Sequence, residues 1–341
     1  MIAEREERSW TGRRVFITGV GGFVASHLAA ELAAQGASVV GVLRDSRGAR
    51  RLRLFGLTEA IDVVHGSIDD YALMERALGE YEVEYVFHLA AQAIVGIANS
   101  SPISTFDSNI RGTWTLLEAA RHSKHVKSFV MASSDKAYGD QPVLPYTEET
   151  PLNALYPYDV SKLCAEAIAR SYAATFDLPL GIVRCANIYG EGDLNWSRIV
   201  PGTIRSMLAG EAPIIRSDGT LERDYIHVSD AVRAYLSLGS GLVEQGLAGE
   251  AFNFGAGRAY SVIEIVEAIL RQGDSPLQPR ILGQNKGEIN RQWLDSAKAK
   301  RVLGWEPVVS LDAGMRRTID WYAGYLSGAA SGQREEALAR V

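Results

Sequence analysis

A tyrosine and a lysine four residues apart are the residues of this chain best suited to chemistry. They are Tyr158 and Lys162, in the segment Tyr158-Asp159-Val160-Ser161-Lys162. Residues four apart on a helix share one face, so both side chains can reach one pocket. A free phenol has a pKa of about 10, but an ammonium group held close to it favours the phenolate. The pair is therefore typical of a site that moves a proton together with a hydride.

Hydroxyl and charged residues precede this pair and follow an apolar run, in the order Ser133-Ser134-Asp135-Lys136. A serine hydroxyl, from Ser133 or Ser134, could hydrogen-bond the substrate oxygen that gives up its proton. Tyr-x-x-x-Lys alone is a weak signal, because a surface tyrosine and lysine at helical spacing are common. The catalytic interpretation therefore depends on the rest of the chain.

Composition and charge narrow the class of protein. The chain has 341 residues, of which 47% are hydrophobic, and this suffices for one large or two modest domains. A net charge of -6 argues against nucleic acid or a membrane surface as a partner. The two cysteines, Cys164 and Cys185, do not suggest a disulfide scaffold. Without a signal-peptide pattern or an apolar stretch of bilayer length, a cytoplasmic protein is expected.

Short β-rich runs alternate with helical patterns from Arg14 onwards. Strands that are buried on both faces and separated by helices predict an α/β fold with a parallel, doubly wound sheet of the Rossmann type. Strands are predicted at residues 15–18, 38–43, 61–64, 85–88, 128–131 and 180–184. Helices are predicted at residues 26–35, 229–237, 262–271 and 296–303.

The spacing of these elements suggests two domains. We expect a dinucleotide-binding domain over residues 1–186, with a returning segment near 224–260, and a smaller mixed α/β domain over 187–330 that mainly binds substrate. Ligands of open α/β sheets lie beyond the carboxyl ends of the strands, where the second domain would close over the sheet. Residues 1–11 are expected to form a mobile lead-in and 331–341 a disordered tail.

A glycine-rich turn follows the first predicted strand and opens the first helix, with the sequence Gly19-Val20-Gly21-Gly22-Phe23-Val24-Ala25. Gly19 permits a tight turn, Gly22 lets the backbone approach a pyrophosphate, and Ala25 allows close packing of helix on strand. Amides at the helix N-terminus then face the phosphates. The strand before and the helix after favour a dinucleotide site over a plain turn. Phe23 and Val24 are expected in that site.

The second strand ends in Arg44 and Asp45, which bear on the choice of cofactor. An acid here binds the ribose hydroxyls of NAD, whereas an arginine accepts the extra phosphate of NADP. Asp45 favours NAD, and Arg44 leaves NADP open. His88 ends a later strand, where a core histidine is more frequent than a catalytic one. Besides Tyr158 and Lys162, the other residues expected at the cofactor are Ser67, Ile68, Leu89, Ala90 and Ala91.

Taken together, the motifs resemble the extended short-chain dehydrogenase/reductases that act on nucleotide sugars. The resemblance covers nearly the whole chain, from Gly19-Val20-Gly21-Gly22-Phe23 through Asp107-Ser108-Asn109-Ile110-Arg111-Gly112-Thr113 to Arg223-Asp224-Tyr225-Ile226-His227-Val228 and Leu303-Gly304-Trp305. Within this family, the chain looks most like the CDP-glucose 4,6-dehydratase branch in the stretch Ser133-Ser134-Asp135-Lys136-Ala137-Tyr138-Gly139. The resemblance implies NAD as cofactor and a nucleotide-diphosphate sugar as substrate.

The same resemblance implies catalytic roles. Tyr158, as phenolate, takes the proton of the sugar 4-hydroxyl, and Ser134 holds that oxygen. Asp135 protonates the 6-hydroxyl as water leaves. At the position of Asp135, 4-epimerases usually have small, non-acidic residues. Lys136 stands where TDP-glucose dehydratases generally have a glutamate. It could remove the carbon 5 hydrogen if its pKa is lowered, or it could form a salt bridge to Asp135 or contact a phosphate.

Substrate contacts and the oligomeric state follow from the resemblance as well. Asn187 and Arg223 match residues that contact the sugar diphosphate, and a forked guanidinium suits that task. Members of the family commonly form homodimers through a four-helix bundle, to which residues 113–121 and 161–174 correspond, although a monomer would bury these faces internally. Arg216 and Arg291 are equally compatible with a solvated surface. The further substrate-binding candidates are Gln92, Arg198, Arg216 and Arg291.

We therefore expect a nucleotide-sugar 4,6-dehydratase, a lyase that produces a 4-keto-6-deoxyhexose. The alternative on the same scaffold is a 4-epimerase or another nucleotide-sugar oxidoreductase, which Lys136 keeps open. A non-catalytic protein that senses dinucleotides is a third interpretation. It is less consistent with the chain, because such proteins usually lose the tyrosine or the lysine, and this chain has both.

Overall fold

The computed structural model describes residues 10–284 and 289–329. Its longer strands are rich in valine, isoleucine and phenylalanine, which suits strands covered on both faces. The strands are β1 (Arg14–Thr18), β2 (Ser38–Leu43), β3 (Asp62–His65), β4 (Tyr85–His88), β5 (Ser128–Ala132), β6 (Leu180–Cys185), β7 (Asn187–Tyr189), β8 (Ile214–Ile215), β9 (Glu222–His227), β10 (Ala251–Phe254), β11 (Ala259–Ser261), β12 (Arg280–Ile281) and β13 (Arg291–Gln292).

Helices connect these strands. They are α1 (Phe23–Ala34), α2 (Ser46–Leu54), α3 (Tyr71–Glu80), α4 (Val95–Ser100), α5 (Pro102–Phe106), α6 (Gly112–His122), α7 (Pro157–Phe176), α8 (Ile199–Leu208), α9 (Val228–Gln245), α10 (Val262–Gln272), α11 (Ala297–Leu303) and α12 (Leu311–Ala329). A π-helical turn spans Asp107–Arg111, and a 3-10 turn spans Asp135–Tyr138. In the described ranges, every helix is too short or too polar to cross a lipid bilayer.

The main sheet has seven strands in the order β3-β2-β1-β4-β5-β6-β10. Every neighbouring pair in it runs parallel. The hydrophobic core forms one cluster that includes the inner residues of α1 and α9 and another that includes those of α3, α6 and α7. This confirms the predicted doubly wound, Rossmann-type sheet.

Two features of the sheet position a ligand site. The strand order reverses between β1 and β4, and open α/β sheets bind ligands at such a point, beyond the carboxyl ends of the strands. A smaller sheet, β11-β9-β13 with β7 paired to β9, lies in the C-terminal part of the chain. The chain then returns to the main sheet at β10, which pairs with β6.

The predicted strands agree with the observed ones to within one residue at each end. The first helix starts three residues earlier than the predicted 26–35, because Gly22 already caps α1 and the glycine turn feeds directly into it. The helix predicted over 229–237 is longer than expected and runs over Val228–Gln245. The helical patterns at 262–271 and 296–303 correspond to α10 and α11.

The prediction that residues 1–11 form a mobile lead-in is wrong for Trp10. Trp10 is only 4% exposed, and its ring meets the edge of Tyr85 at 5.0 Å between centroids and packs on Phe87. A large aromatic ring gains more from burial here than the backbone loses by being ordered. Residues 1–9 and the expected tail at 331–341 lie outside the described residues.

Trp10 should therefore contribute to stability. We expect Trp10→Ala to lower the free energy of unfolding by about 3–5 kcal/mol, because it empties a packed site between Tyr85 and Phe87. Trp10→Phe keeps an aromatic ring there and should lose less. Denaturant unfolding at a fixed protein concentration measures both changes. An alanine variant as stable as the unmodified protein would contradict the packing role.

Candidate active site

The glycine turn between β1 and α1 forms a close backbone cradle. Gly19 has a φ of +71°, and the amide of Gly22 donates to its carbonyl at 2.7 Å. A Cβ on Gly19 would lie 2.8 Å from the Cα of Ala90, and one on Gly21 would lie 2.5 Å from the Cα of Gly48. The turn thus excludes side chains from the place where the amino end of α1 can meet phosphates.

A cavity opens at this turn, at the carboxyl edge of the sheet. Most residues predicted for the cofactor line it: Gly19, Gly22, Arg44, Asp45, Ser67, Ile68, Leu89, Ala90 and Ala91. Asp107 and Ser108, from the π-helical turn, line it too and were not predicted. Four predicted residues do not line it. The Phe23 ring packs on His27, Val24 packs against the core, and Tyr158 and Lys162 belong to α7.

The residues that should choose between NAD and NADP interact with each other. Arg44 Nη2 lies 3.4 Å from Asp45 Oδ2, and both side chains are well exposed at 68% and 44%. The pair therefore offers a carboxylate whose charge is partly balanced. Such a group can accept hydrogen bonds from ribose hydroxyls and repels an additional phosphate. The cradle, the cavity and this carboxylate fit a dinucleotide.

His88 is a core histidine rather than a catalytic one. Its Nδ1 lies 2.7 Å from the Thr18 hydroxyl and its Nε2 lies 3.0 Å from the Thr113 hydroxyl. Burial lowers the pKa of His88 to about 3, so the ring is neutral at physiological pH. Thr18 in turn accepts from the Ala90 amide at 3.1 Å. These bonds hold the ends of β1 and β4 together beneath the cavity.

Tyr158 lies in the first turn of α7 with its phenol beside Ser134. Burial raises the pKa of Tyr158 to about 12, and a hydrogen bond with Ser134 acts in the opposite direction. Lys162 Nζ donates to the Ala132 carbonyl at 2.8 Å, and burial lowers its pKa to about 8. Desolvation therefore has the largest effect on the phenol in this arrangement.

The two serines have different partners. Ser133 Oγ donates to Glu166 Oε2 at 3.0 Å, which turns it away from the phenol. Ser134 caps the 3-10 turn, where its oxygen accepts from the Lys136 amide at 3.2 Å, and it donates to Asp135 Oδ1 at 3.2 Å. Ser134 is therefore the serine placed between the phenol and the Asp135 carboxylate.

Asp135 and Lys136 occupy the same end of the site. Asp135 is 2% exposed, and Lys136 Nζ lies 3.5 Å from its Oδ2, so the salt bridge considered for Lys136 is present. Burial lowers the pKa of Lys136, and the nearby Arg223 acts in the same direction, whereas Asp135 raises it. The Lys136 ammonium also donates to Gln292 Oε1, a contact that sequence reasoning did not foresee.

A buried ion pair between Arg184 and Glu166 lies next to this end of the site. Arg184 on β6 donates from Nε to Glu166 Oε2 at 3.0 Å and from Nη2 to Oε1. Arg184 Nη1 also donates to the Tyr138 hydroxyl at 2.6 Å, and that hydroxyl donates to Asn253 at 2.7 Å. The strand ends, α7 and the 3-10 turn are thus joined by one buried network.

Asn109, in the π-helical turn, fixes the start of α7. Its Oδ1 accepts from the Gln92 amide at 2.7 Å, and its Nδ2 donates to Ser161 Oγ at 2.8 Å. Ser161 donates to the Tyr158 carbonyl at 2.6 Å. π-Helical turns are rare and frequent at functional sites. The sequence motif at 107–113 contains Asn109, but no role was predicted for Asn109 itself.

The predicted substrate residues divide into two groups. Arg198 lowers the pKa of Tyr158 and Arg223 lowers that of Lys136, so both act electrostatically on side chains that were predicted to be catalytic. Gln92 and Asn187 are half-buried near the same strand ends, where Gln92 accepts from the Ile94 amide and Asn187 donates to the Asp224 carbonyl. Outside this group, Arg216 is exposed, and Arg291 pairs with Glu222 at 2.8 Å.

Comparison with known proteins defines the class. The model of the NAD dependent epimerase/dehydratase family matches residues 15–255. The chain belongs to this family of nucleotide-sugar dehydratases and epimerases and is one of its enzymes. This confirms the expected family and the expected cofactor, NAD.

Individual relatives fall on both sides of the dehydratase/epimerase division. The chain is 30% identical over 338 residues to the CDP-glucose 4,6-dehydratase of Salmonella typhimurium, with 95% of this chain and 94% of the relative covered. It is 32% identical over 312 residues to the UDP-glucose 4-epimerase of Mycolicibacterium smegmatis, covering 91% and 98%.

Solved structures give the same division. The Thermotoga maritima UDP-glucose 4-epimerase, solved with UDP-glucose, superposes with a TM-score of 0.84 at 32% identity, covering 92% of this chain and 99% of that one. The Streptomyces venezuelae dTDP-glucose 4,6-dehydratase, solved with NAD, has a TM-score of 0.83 at 28% identity, covering 92% and 98%. The particular reaction must therefore be argued from the site.

The cradle can be tested with two glycines of equal backbone strain. Gly19 and Gly12 both have a φ of +71°, but a Cβ on Gly12 would meet nothing within 4 Å. We expect Gly19→Ala to weaken NAD binding about tenfold or more, because the methyl group displaces the Ala90 backbone. Gly12→Ala should leave NAD binding unchanged. Calorimetric titration measures both, and equal affinities of the two variants would argue against the cradle.

Proposed function

We propose that this protein is an NAD-dependent nucleotide-sugar 4,6-dehydratase that converts CDP-glucose to CDP-4-keto-6-deoxyglucose. The observation that carries the proposal is the position of the Asp135 carboxyl. It is buried at 2% exposure and accepts from Ser134, the serine that also meets the Tyr158 phenol. An acid at this place serves a reaction that expels a hydroxyl group.

The first half of the reaction uses Tyr158 and Ser134. Ser134 holds the sugar 4-oxygen, and Tyr158 takes its proton. NAD, when bound, supplies a hydride acceptor with a positively charged nicotinamide ring. A nearby cation lowers the pKa of a phenol, which opposes the burial that raises the pKa of Tyr158 to about 12. A nicotinamide bound next to Tyr158 would therefore favour the phenolate that acts as the base.

The second half uses Asp135 and Lys136. The 4-keto group acidifies the carbon 5 hydrogen, which leaves as a proton to the Lys136 amine. In the reacting form, the proton of the Asp135-Lys136 pair lies on Asp135. Asp135 donates this proton to the 6-hydroxyl, which departs as water, and a carbon 5–carbon 6 double bond forms. Lys136 then gives a proton back to carbon 5, and NAD, when bound, would supply the hydride for carbon 6. Burial lowers the pKa of Lys136, which favours the neutral amine that this step needs.

Substrate recognition is part of the same proposal. Arg223 and Arg198 act electrostatically on Lys136 and Tyr158, and guanidinium groups suit a sugar diphosphate. The choice of CDP-glucose rests on the Salmonella relative, which covers both chains almost fully. We also propose a homodimer through α6 and α7, which pack together and leave Trp114 of α6 45% exposed.

A 4-epimerase is the second candidate. The epimerase relatives and structures are as similar to this chain as the dehydratases are. Such an enzyme needs Tyr158 and Ser134 but no acid for carbon 6. The two functions differ in the product, because epimerisation keeps the mass of the sugar and dehydration removes one water.

The two candidate functions can be distinguished by incubating the protein with NAD and a panel of nucleotide hexoses and examining the products by mass spectrometry. We expect CDP-glucose to lose one water. Asp135→Asn should keep oxidation at carbon 4, seen as reduced nicotinamide absorbance, and slow the loss of water about 100-fold or more, because the acid is gone.

The matched control is Asp140→Asn, which changes an exposed carboxylate five residues further along the chain. It should dehydrate at the unmodified rate. A product of unchanged mass from every hexose in the panel would reject the dehydratase. Normal loss of water by Asp135→Asn would instead reject Asp135 as the acid.

A further inference from the structure

Gln292 is a fully buried amide at the elimination end of the site. It lies in β13, in register with Arg223 of β9, and is 0% exposed. It reaches the 3-10 turn from a segment far along the chain, 156 residues after Lys136. A buried amide needs partners for both its oxygen and its nitrogen.

Both partners of Gln292 belong to the Asp135-Lys136 pair. Its Nε2 donates to the Asp135 carbonyl at 2.7 Å, and its Oε1 accepts from Lys136 Nζ. The opposite orientation of the amide would set its NH2 against the ammonium and its oxygen against a carbonyl. The hydrogen bond to Asp135 therefore keeps Oε1 directed at Lys136.

Gln292 and Asp135 bind Lys136 in different ways. Asp135 Oδ2, at 3.5 Å, binds Lys136 chiefly through its charge. A neutral amine loses that attraction but still has two N–H groups, so it can donate to an amide oxygen. The charged groups that act on Lys136 are Asp135 of the 3-10 turn, Arg223 of β9 and Asp159 of α7.

We propose that Gln292 is a positioning residue that holds the Lys136 amine in one place in both its charged and its neutral form. The inference rests on the proposed dehydratase function. Lys136 must accept the carbon 5 proton during elimination and give a proton back when carbon 5 regains one. A partner that holds the nitrogen only in its charged form would release it in the middle of this cycle.

The neutrality of Gln292 is essential to this role. A carboxylate in its place would stabilise the ammonium and raise the pKa of Lys136, so the amine would be charged when it should act as a base. An apolar side chain of similar size would remove the acceptor and lower the pKa. The two changes should thus move the pKa of Lys136 in opposite directions, which a merely structural residue would not cause.

The first test is independent of turnover. The pH dependence of acetylation of Lys136 by acetic anhydride, read by peptide mass spectrometry, reports its pKa in the folded protein. We expect Gln292→Glu to raise that pKa by about one unit or more, and Gln292→Met to lower it. Gln245→Glu, the same change at an exposed helix end, should leave it unchanged. Circular dichroism checks that each variant is folded.

The second test follows the reaction. With CDP-glucose, Gln292→Met should oxidise carbon 4 normally but lose water about 10-fold or more slowly, with reduced nicotinamide accumulating. Gln292→Glu should regain its rate of water loss at higher pH, because its Lys136 is neutral only there.

The outcomes separate this inference from the proposed function. If Lys136 has the same pKa in the unmodified protein, Gln292→Glu and Gln292→Met, the positioning role is overturned even where dehydration is observed. If opposite shifts occur but no hexose loses water, Gln292 positions Lys136 and the dehydratase assignment fails. If Gln292→Glu does not fold, an unshifted pKa in Gln292→Met together with normal loss of water overturns the role.

Discussion

The geometry of the site depends on the buried ion pair between Glu166 and Arg184. Ions removed from water are costly unless every donor and acceptor is satisfied. Here the carboxylate receives Arg184, Arg170 and Ser133, and the guanidinium also reaches Tyr138. Removing either Glu166 or Arg184 would leave an uncompensated charge in the core. The ends of β5 and β6 and the middle of α7 are consequently held in one arrangement.

That arrangement explains why the adjacent residues 133–136 have different partners. Ser133 is committed to the ion pair, so its neighbour Ser134 is directed at the phenol. The 3-10 turn then places Asp135 and Lys136 on the side of the site that faces β9 and β13. In the proposed dehydratase, oxidation would use Ser134 and Tyr158, and elimination would use the adjacent Asp135 and Lys136.

The sequence predicted what depends on local rules. Glycines that must avoid a Cβ, apolar runs between helices and a tyrosine four residues before a lysine are all visible in a single stretch of chain, and the sheet and the Gly19 turn were found in this way. The contacts of Glu166 with Arg184 and of Lys136 with Gln292 were not, because these partners lie 18 and 156 residues away. The sequence around Gln292 does not indicate that this side chain faces the Lys136 ammonium. The effect of burial on Tyr158 likewise depends on packing that only the fold reveals.

The distance along the chain between Lys136 and Gln292 has a consequence for folding. Contacts between residues far apart in sequence close large loops, and they form slowly compared with local ones. The glycine turn and the Tyr158-Lys162 helix depend on neighbours that a ribosome has released early. The Lys136-Gln292 contact forms only after β13 has docked beside β9. During synthesis, the residues of the dinucleotide cradle are therefore available before the proposed elimination site is complete.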